Sequence, residues 1–126
     1  MNSRDKGQRG ERQWRDELRA AGYAARRGQQ FCGSPESPDV VCDDLRWAHF
    51  EVKHVERLNI VEAMEQARLA SGGKVPIVAH RRNFTPWLVT MDAETFFQFL
   101  RGTLPPEPTQ PTTERTNEDQ KQQQQL

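Results

Sequence analysis

An α/β fold of the mixed-sheet, α+β kind is what the sequence predicts, ordered αβββαβ with one further strand and a C-terminal helix. Three observations carry this. Residues 47–53 alternate, with Ala48, Phe50 and Val52 on one face and Trp47, His49, Glu51 and Lys53 on the other, as a half-buried strand does. Apolar residues recur at helical spacing twice, at Trp14, Leu18 and Ala21 and again at Ile60, Ala63, Met64, Ala67 and Ala70. Between Glu51 and Ala79 a strand, a helix and a second strand follow one another, the order of a right-handed crossover between parallel strands.

The elements follow in chain order. Residues 1–6 are polar and stand outside the first predicted helix, Gly7 to Ala21, which Gly22 stops. Trp14, Leu18 and Ala21 are its buried stripe, and Arg9, Arg12, Arg15 and Arg19 make much of its surface cationic. Glu11 lies at the N-terminal end of the inward stripe, where it suits either a metal cluster or the positive end of the helix dipole. Tyr23 to Arg27 reads as a short first strand. Gly28 to Ser37, rich in Gly, Gln, Ser and Pro, reads as a loop, either a substrate-contacting segment or an ordinary linker.

Pro38 belongs at a strand start because it cannot donate to a ladder, and it holds Ser37 extended. Pro38 to Cys42 is the second strand, Asp43-Asp44 the turn, and Trp47 to Lys53 the third strand. After it, Asn59 can cap a helix running to about Ser71, with Glu62 at the capping-box position and Gly72-Gly73 as the stop. Val75 to Ala79 is a buried-type strand, His80-Arg81-Arg82-Asn83 a basic turn, and Trp87 to Met91 the additional strand. Asp92 can cap the last helix, Ala93 to Leu100, whose Phe96, Phe97, Phe99 and Leu100 must cover something apolar: the core, or a second copy of the chain.

The chemistry concentrates in the central hairpin. If it is centred near Leu45, Asp39 lies opposite Glu51 and Val41 opposite His49. Opposed residues share a face with Cβ atoms roughly 5 Å apart. Lys53 follows Glu51 on that face, roughly 7 Å along the strand. A register slip of one residue would send Asp39 to the other side. Two bare carboxylates side by side repel, and each tends to stay protonated. A bound divalent cation removes that conflict, so the pattern points to a metal-dependent phosphodiesterase site. Gln66 is adjacent to the apolar stripe of its helix, either hydrogen-bonding near the site or exposed. His49, His54 and His80 are not at ligand spacing and read as ordinary or substrate-facing histidines.

Composition bounds the rest. The 126 residues make one domain with a modest core. No long apolar run is present, so neither a membrane span nor a secretory signal is predicted, and the expected location is intracellular, in the cytoplasm of a bacterial, archaeal or phage-infected cell. Cys32 and Cys42 fit neither a zinc site nor a disulfide framework and read as reduced thiols. Residues 1–30 carry eight Arg or Lys against four acids. The segment 105–126, rich in Pro, Thr and Gln, is predicted to be a disordered tail beside the domain at 1–104. Its four acids and two bases, taken from a neutral chain, leave the domain at net +2, which suits a polyanionic substrate.

Taken together, the residues resemble the PD-(D/E)xK nuclease superfamily and, within it, the archaeal-type and phage Holliday junction resolvases. The signature runs from Lys6-Gly7 to Glu11-Arg12, through Gly22-Tyr23-Ala24 and Arg27, to Pro38-Asp39 and Glu51-Val52-Lys53. It covers roughly residues 6 to 91. The loop before Asp39 is longer than the family's, and the segment from Arg81 to Thr90 looks closer to phage-type members.

The resemblance implies a restriction-endonuclease-like core and a Mg²⁺-dependent endonuclease, Mn²⁺ serving as a substitute. It implies catalytic roles for Glu11, Asp39, Glu51 and Lys53, with Asp39, Glu51 and the Val52 carbonyl as metal ligands. It also implies a 5′-phosphate product, branched or four-way DNA as substrate, and a homodimer. Arg12 and Arg27 match substrate-contacting positions, Arg81-Arg82 would hold flanking phosphates, and Gln66 is a possible accessory. Two other readings stay open: a phage-type repair, replication or packaging nuclease with another DNA preference, and a non-catalytic DNA-binding module on the same fold.

Overall fold

A computed structural model of the protein describes residues 3–28 and 39–102, with side chains from Gly7 onward. The loop around Cys32, Pro38 and the tail at 105–126 lie outside the described residues. The elements are α1 (Ser3–Ala20), β1 (Ala25–Arg27), β2 (Val40–Cys42), β3 (Ala48–His54), α2 (Ile60–Ala70), β4 (Val75–Arg81), β5 (Leu88–Met91) and α3 (Ala93–Arg101), with a 3₁₀ turn at Asp43–Leu45. This is the predicted order, a mixed αβββαβ core with one more strand and helix.

The five strands form one sheet in the order β1-β2-β3-β4-β5. β3 and β4 are parallel, joined by α2 as the crossover, and the other neighbours are antiparallel. Val40 stands opposite Phe50. One residue further out, that register brings Asp39 opposite Glu51, so the hairpin is centred at Leu45.

Strand alternation divides the sheet into two faces. Ala25, Val40, Cys42, Phe50, Val52, Ile77 and Ala79 pack under Trp14 and Leu18 of α1. Trp14 meets Phe50 edge-on with ring centroids 5.8 Å apart, and Trp87 at 5.3 Å. On the opposite face Val78 packs with Ala63, Met64 and Ala67 of α2. Asn59 caps α2, its Oδ1 accepting the Glu62 N–H at 3.1 Å, and Gly72 and Gly73, at φ 57° and 88°, turn the chain out of it.

Several expectations need correction. α1 begins at Ser3, before the predicted start, and ends at Ala20, so Ala21 falls beyond the last turn and is exposed instead of completing the stripe. Gly22, at φ 99°, provides the stop. β1 starts at Ala25 and β5 at Leu88, later than predicted. His80 and Arg81 belong to β4, so the turn is Arg82–Thr85. Asp92 holds the N-cap position of α3 with no capping hydrogen bond. Its carboxylate pairs with Arg68 of α2 instead.

The apolar side of α3 is not absorbed by the core. Phe96, Phe97, Phe99 and Leu100 are 37–67% exposed, and within the chain Phe99 meets Trp47 edge-on at 5.4 Å.

α1 reaches the sheet through Gly10. A Cβ placed there would stand 2.8 Å from the His54 Cβ, so only glycine lets the helix lie this close to β3. Gly10→Ala must push α1 away. Against a gain of about 1 kcal/mol in helix propensity stands an overpacking cost of about 1–3 kcal/mol. We expect a lower urea midpoint with unchanged slope.

Candidate active site

The site is built where β2 ends and β3 continues. Glu51 is abreast of Val78 and Lys53 of His80 in the parallel register, so Glu51 and Lys53 lie on the α2 face. Asp39 reaches the same place from the end of β2. Its Oδ2 accepts the Val52 N–H at 2.9 Å. The N–H and C=O of one strand residue point to the same side, so the Val52 carbonyl also points toward Asp39.

Burial pushes the Asp39 carboxyl up to about 6, and the charge of Glu51 adds to it. The Val52 N–H pulls it down, the Glu11 carboxylate raises it, and the Lys53 ammonium lowers it. Glu51, Glu11 and Lys53 thus each act electrostatically on Asp39, although they come from separate elements.

Glu11 is buried at 7% exposure and held by Arg27, whose Nη2 and Nε donate to Glu11 Oε2 at 3.0 and 3.3 Å. An Arg fork on one carboxylate oxygen fixes direction as well as charge. Arg27 is therefore bound to a site acid, and Arg12 is exposed on α1. Arg81 lies over the Trp87 ring at 5.7 Å, on the α1 face, while Arg82 is exposed in the turn. Gln66 is exposed, and it lines an open cavity of about 240 Å³ together with Lys53, Arg57, Asn59 and Glu62.

Two histidines sit closer to this site than their spacing suggested. His49 is 2% exposed, and its Nε2 stands 3.6 Å from Glu51 Oε2, the i, i+2 neighbour on the same strand face. Alternation alone places these two residues side by side, and that was the available signal. His80, partly buried, has its pKa lowered by desolvation and shares a 2.8 Å hydrogen bond with Thr90 Oγ1.

The donors present are carboxylate and carbonyl oxygens, the ligand class of a hard divalent cation. Among the described residues no three His, Cys, Asp or Glu side chains enclose an ion by themselves. Two carboxylates and a carbonyl still fit Mg²⁺, which keeps several waters and takes substrate phosphate oxygens in place of a full protein cage. Asp39 is the direct indication: its carboxyl is forced toward neutrality beside other acids, and a cation would relieve that.

No family model matches the chain, and no curated protein does. Among solved structures the chain is similar to Hjc, a Holliday junction resolvase from the hyperthermophilic archaeon Archaeoglobus fulgidus. The two are 33% identical over 68% of this chain and 72% of that one, with a TM-score of 0.51.

Proposed function

The chain belongs to the PD-(D/E)xK nuclease superfamily, alongside the archaeal Holliday junction resolvases, and on that premise we propose that it is a divalent-metal-dependent endonuclease that cuts branched DNA. The observation that carries this is the half-buried Asp39 carboxylate, which accepts the Val52 N–H at 2.9 Å in a cluster with Glu51, Glu11 and Lys53 and is raised chiefly by desolvation and next by Glu51. Such a cluster is costly for a fold to keep and is suited to binding a cation against a phosphate.

Asp39 and Glu51 would hold Mg²⁺, or Mn²⁺ in its place, with the Val52 carbonyl as a further ligand. When bound, the ion lowers the pKa of its water and neutralises phosphate charge. The chain's own residues do the rest. Lys53 is a compact charge on a flexible stem. It stabilises the negative charge that grows on the phosphoryl oxygens as water attacks phosphorus. Glu11, fixed by Arg27, accepts a hydrogen bond from that water and orients it. Attack in line with the leaving oxygen breaks the P–O3′ bond and leaves a 5′-phosphate and a 3′-hydroxyl. Arg12 and Arg82 hold flanking phosphates, which sets position without reading sequence.

A four-way junction needs two symmetric cuts and therefore two sites. The exposed apolar side of α3 supplies a surface for a second copy, since an isolated chain seldom leaves such a face to water.

Cleavage of a labelled four-way junction beside matched linear and flapped duplexes, with and without Mg²⁺, tests the reading. The expected result is paired cuts in the junction, dependent on metal, from a protein that sediments as a dimer. Metal-dependent cutting of all substrates alike would make it a nuclease with another DNA preference. Tight DNA binding with no cleavage in either metal would overturn the enzymatic reading.

A further inference from the structure

The turn Arg82–Thr85, between β4 and β5, holds a residue whose position packing does not account for. Phe84 has φ of 63°, and its side chain is 99% exposed. A bulky side chain in the left-handed region is a backbone outlier, and such strain persists where the surroundings enforce it. An exposed ring returns no burial energy against it.

The surroundings do enforce it. Thr85 Oγ1 accepts the Arg82 N–H at 3.1 Å and donates to the Arg82 carbonyl at 2.9 Å. The Thr85 N–H donates to that same carbonyl at 3.3 Å. The Asn83 N–H donates to Glu56 Oε1 at 3.1 Å, and Asn83 Oδ1 lies 2.9 Å from Nε2 of the buried His54. The turn is thus closed on itself and pinned to the end of β3, with Phe84 projecting from it.

Its place in the fold is equally specific. Lys53 is abreast of His80 and His54 of Arg81, so the turn leaves β4 just past the end of the sheet that carries the candidate site. Arg82, exposed, stands two residues before the ring.

We propose that Phe84 is a stacking wedge that reads the branch point of the DNA, its ring lying against a base whose neighbour has been displaced, while Arg82 meets the adjoining phosphate. This rests on the nuclease reading and deepens it by naming what selects the substrate. Aromatic rings stack on any base with an open face, and apolar wedges enter base steps where stacking is weak. In continuous duplex both faces of every base are covered, so the ring gains only where stacking is interrupted. A pinned turn adds to the preference, because little freedom is lost on binding.

The test is binding of a four-way junction carrying 2-aminopurine at the branch, and of matched duplex, by the full chain in EDTA. Phe84→Ala is expected to weaken junction binding about tenfold, to remove the fluorescence change at the branch, and to leave duplex affinity within about twofold. Phe84→Trp restores both junction signals. Phe84→Gly, which takes the left-handed conformation freely, raises the melting temperature by about 4 °C while losing junction preference.

An Ala variant with wild-type junction affinity and fluorescence overturns the proposal. So does one that loses duplex and junction binding equally, or one whose sedimentation shows the ring to be a contact between copies. A wild type that binds no DNA overturns it together with its premise. If Phe84→Ala is neutral while a site-acid variant is inactive, the wedge alone falls. If the Phe84 effects hold while site-acid variants still cut, the nuclease site falls and the wedge stands.

Discussion

Asp39→Asn is expected to abolish cleavage and, in the same protein, to make the fold more stable at neutral pH. Both effects come from one carboxyl. In the folded chain it titrates at about 6 against an ordinary 3.8, chiefly because it is buried and next because Glu51 is beside it. A group whose folded pKa is raised contributes stability that is fully present below the unfolded value. That contribution is lost as pH rises through the folded value. The window here is about pH 4 to 6, and across it the metal-free protein should become less stable. At 1.36 kcal/mol per unit the whole effect is at most about 3 kcal/mol.

Asparagine keeps the acceptor for the Val52 N–H but carries no charge, so it removes the repulsion and the titration together. Chemical denaturation of wild type and variant in EDTA checks this. The wild type should lose stability from pH 4 to pH 7, the variant should be flat across that range, and the variant should be the more stable by about 1–3 kcal/mol at pH 7. A variant less stable than wild type at pH 7 would mean that Asp39 is a structural residue, not an acid held at a cost for function. The activity arm is a metal-dependent cleavage assay, in which the variant should fall below detection.

The register of the β2–β3 hairpin was legible only in part. Strand alternation at 47–53 sets the faces and Asp43-Asp44 marks the turn, but the centre near Leu45 was a supposition; Val40 stands opposite Phe50 as that centre requires. The α2 cap was readable, since Asn59 and its partner Glu62 are separated by a single turn. What the sequence hid depends on long-range placement. Gly7 belongs to the sequence pattern, yet a Cβ there would meet nothing within 4 Å. Gly10 meets His54, and no local rule announces where a helix will cross a strand 44 residues further on. Ala21 has the right spacing and the wrong location, because Gly22 ends the helix before the stripe can use it. Asp39 itself was legible as an acid near Glu51. That its side chain accepts the Val52 N–H was not, because no local rule pairs a carboxylate with a backbone group 13 residues further on.

The second large effect concerns Lys53 and Glu51, which act on Asp39 in opposite directions. Lys53 lowers the Asp39 pKa and Glu51 raises it. Lys53→Met should therefore move the Asp39 titration above about 6, and Glu51→Gln should move it below, by carboxyl-detected NMR of the metal-free protein. Both variants should lose cleavage by about a hundredfold to a thousandfold, the size of effect seen when one charge-stabilising group is removed from a transition state. Opposite titration shifts with a common loss of activity would show that the three side chains form one electrostatic unit. A merely structural cluster predicts something else: altered titrations in variants that still cut. Lys53→Arg sharpens the contrast. It preserves the sign of the charge, so the Asp39 titration should stay near its wild-type position. The planar guanidinium cannot place a point charge where the ammonium does, so cleavage should recover only in part. If Arg restored activity fully, Lys53 would be supplying charge alone, and its position against the phosphate would not matter.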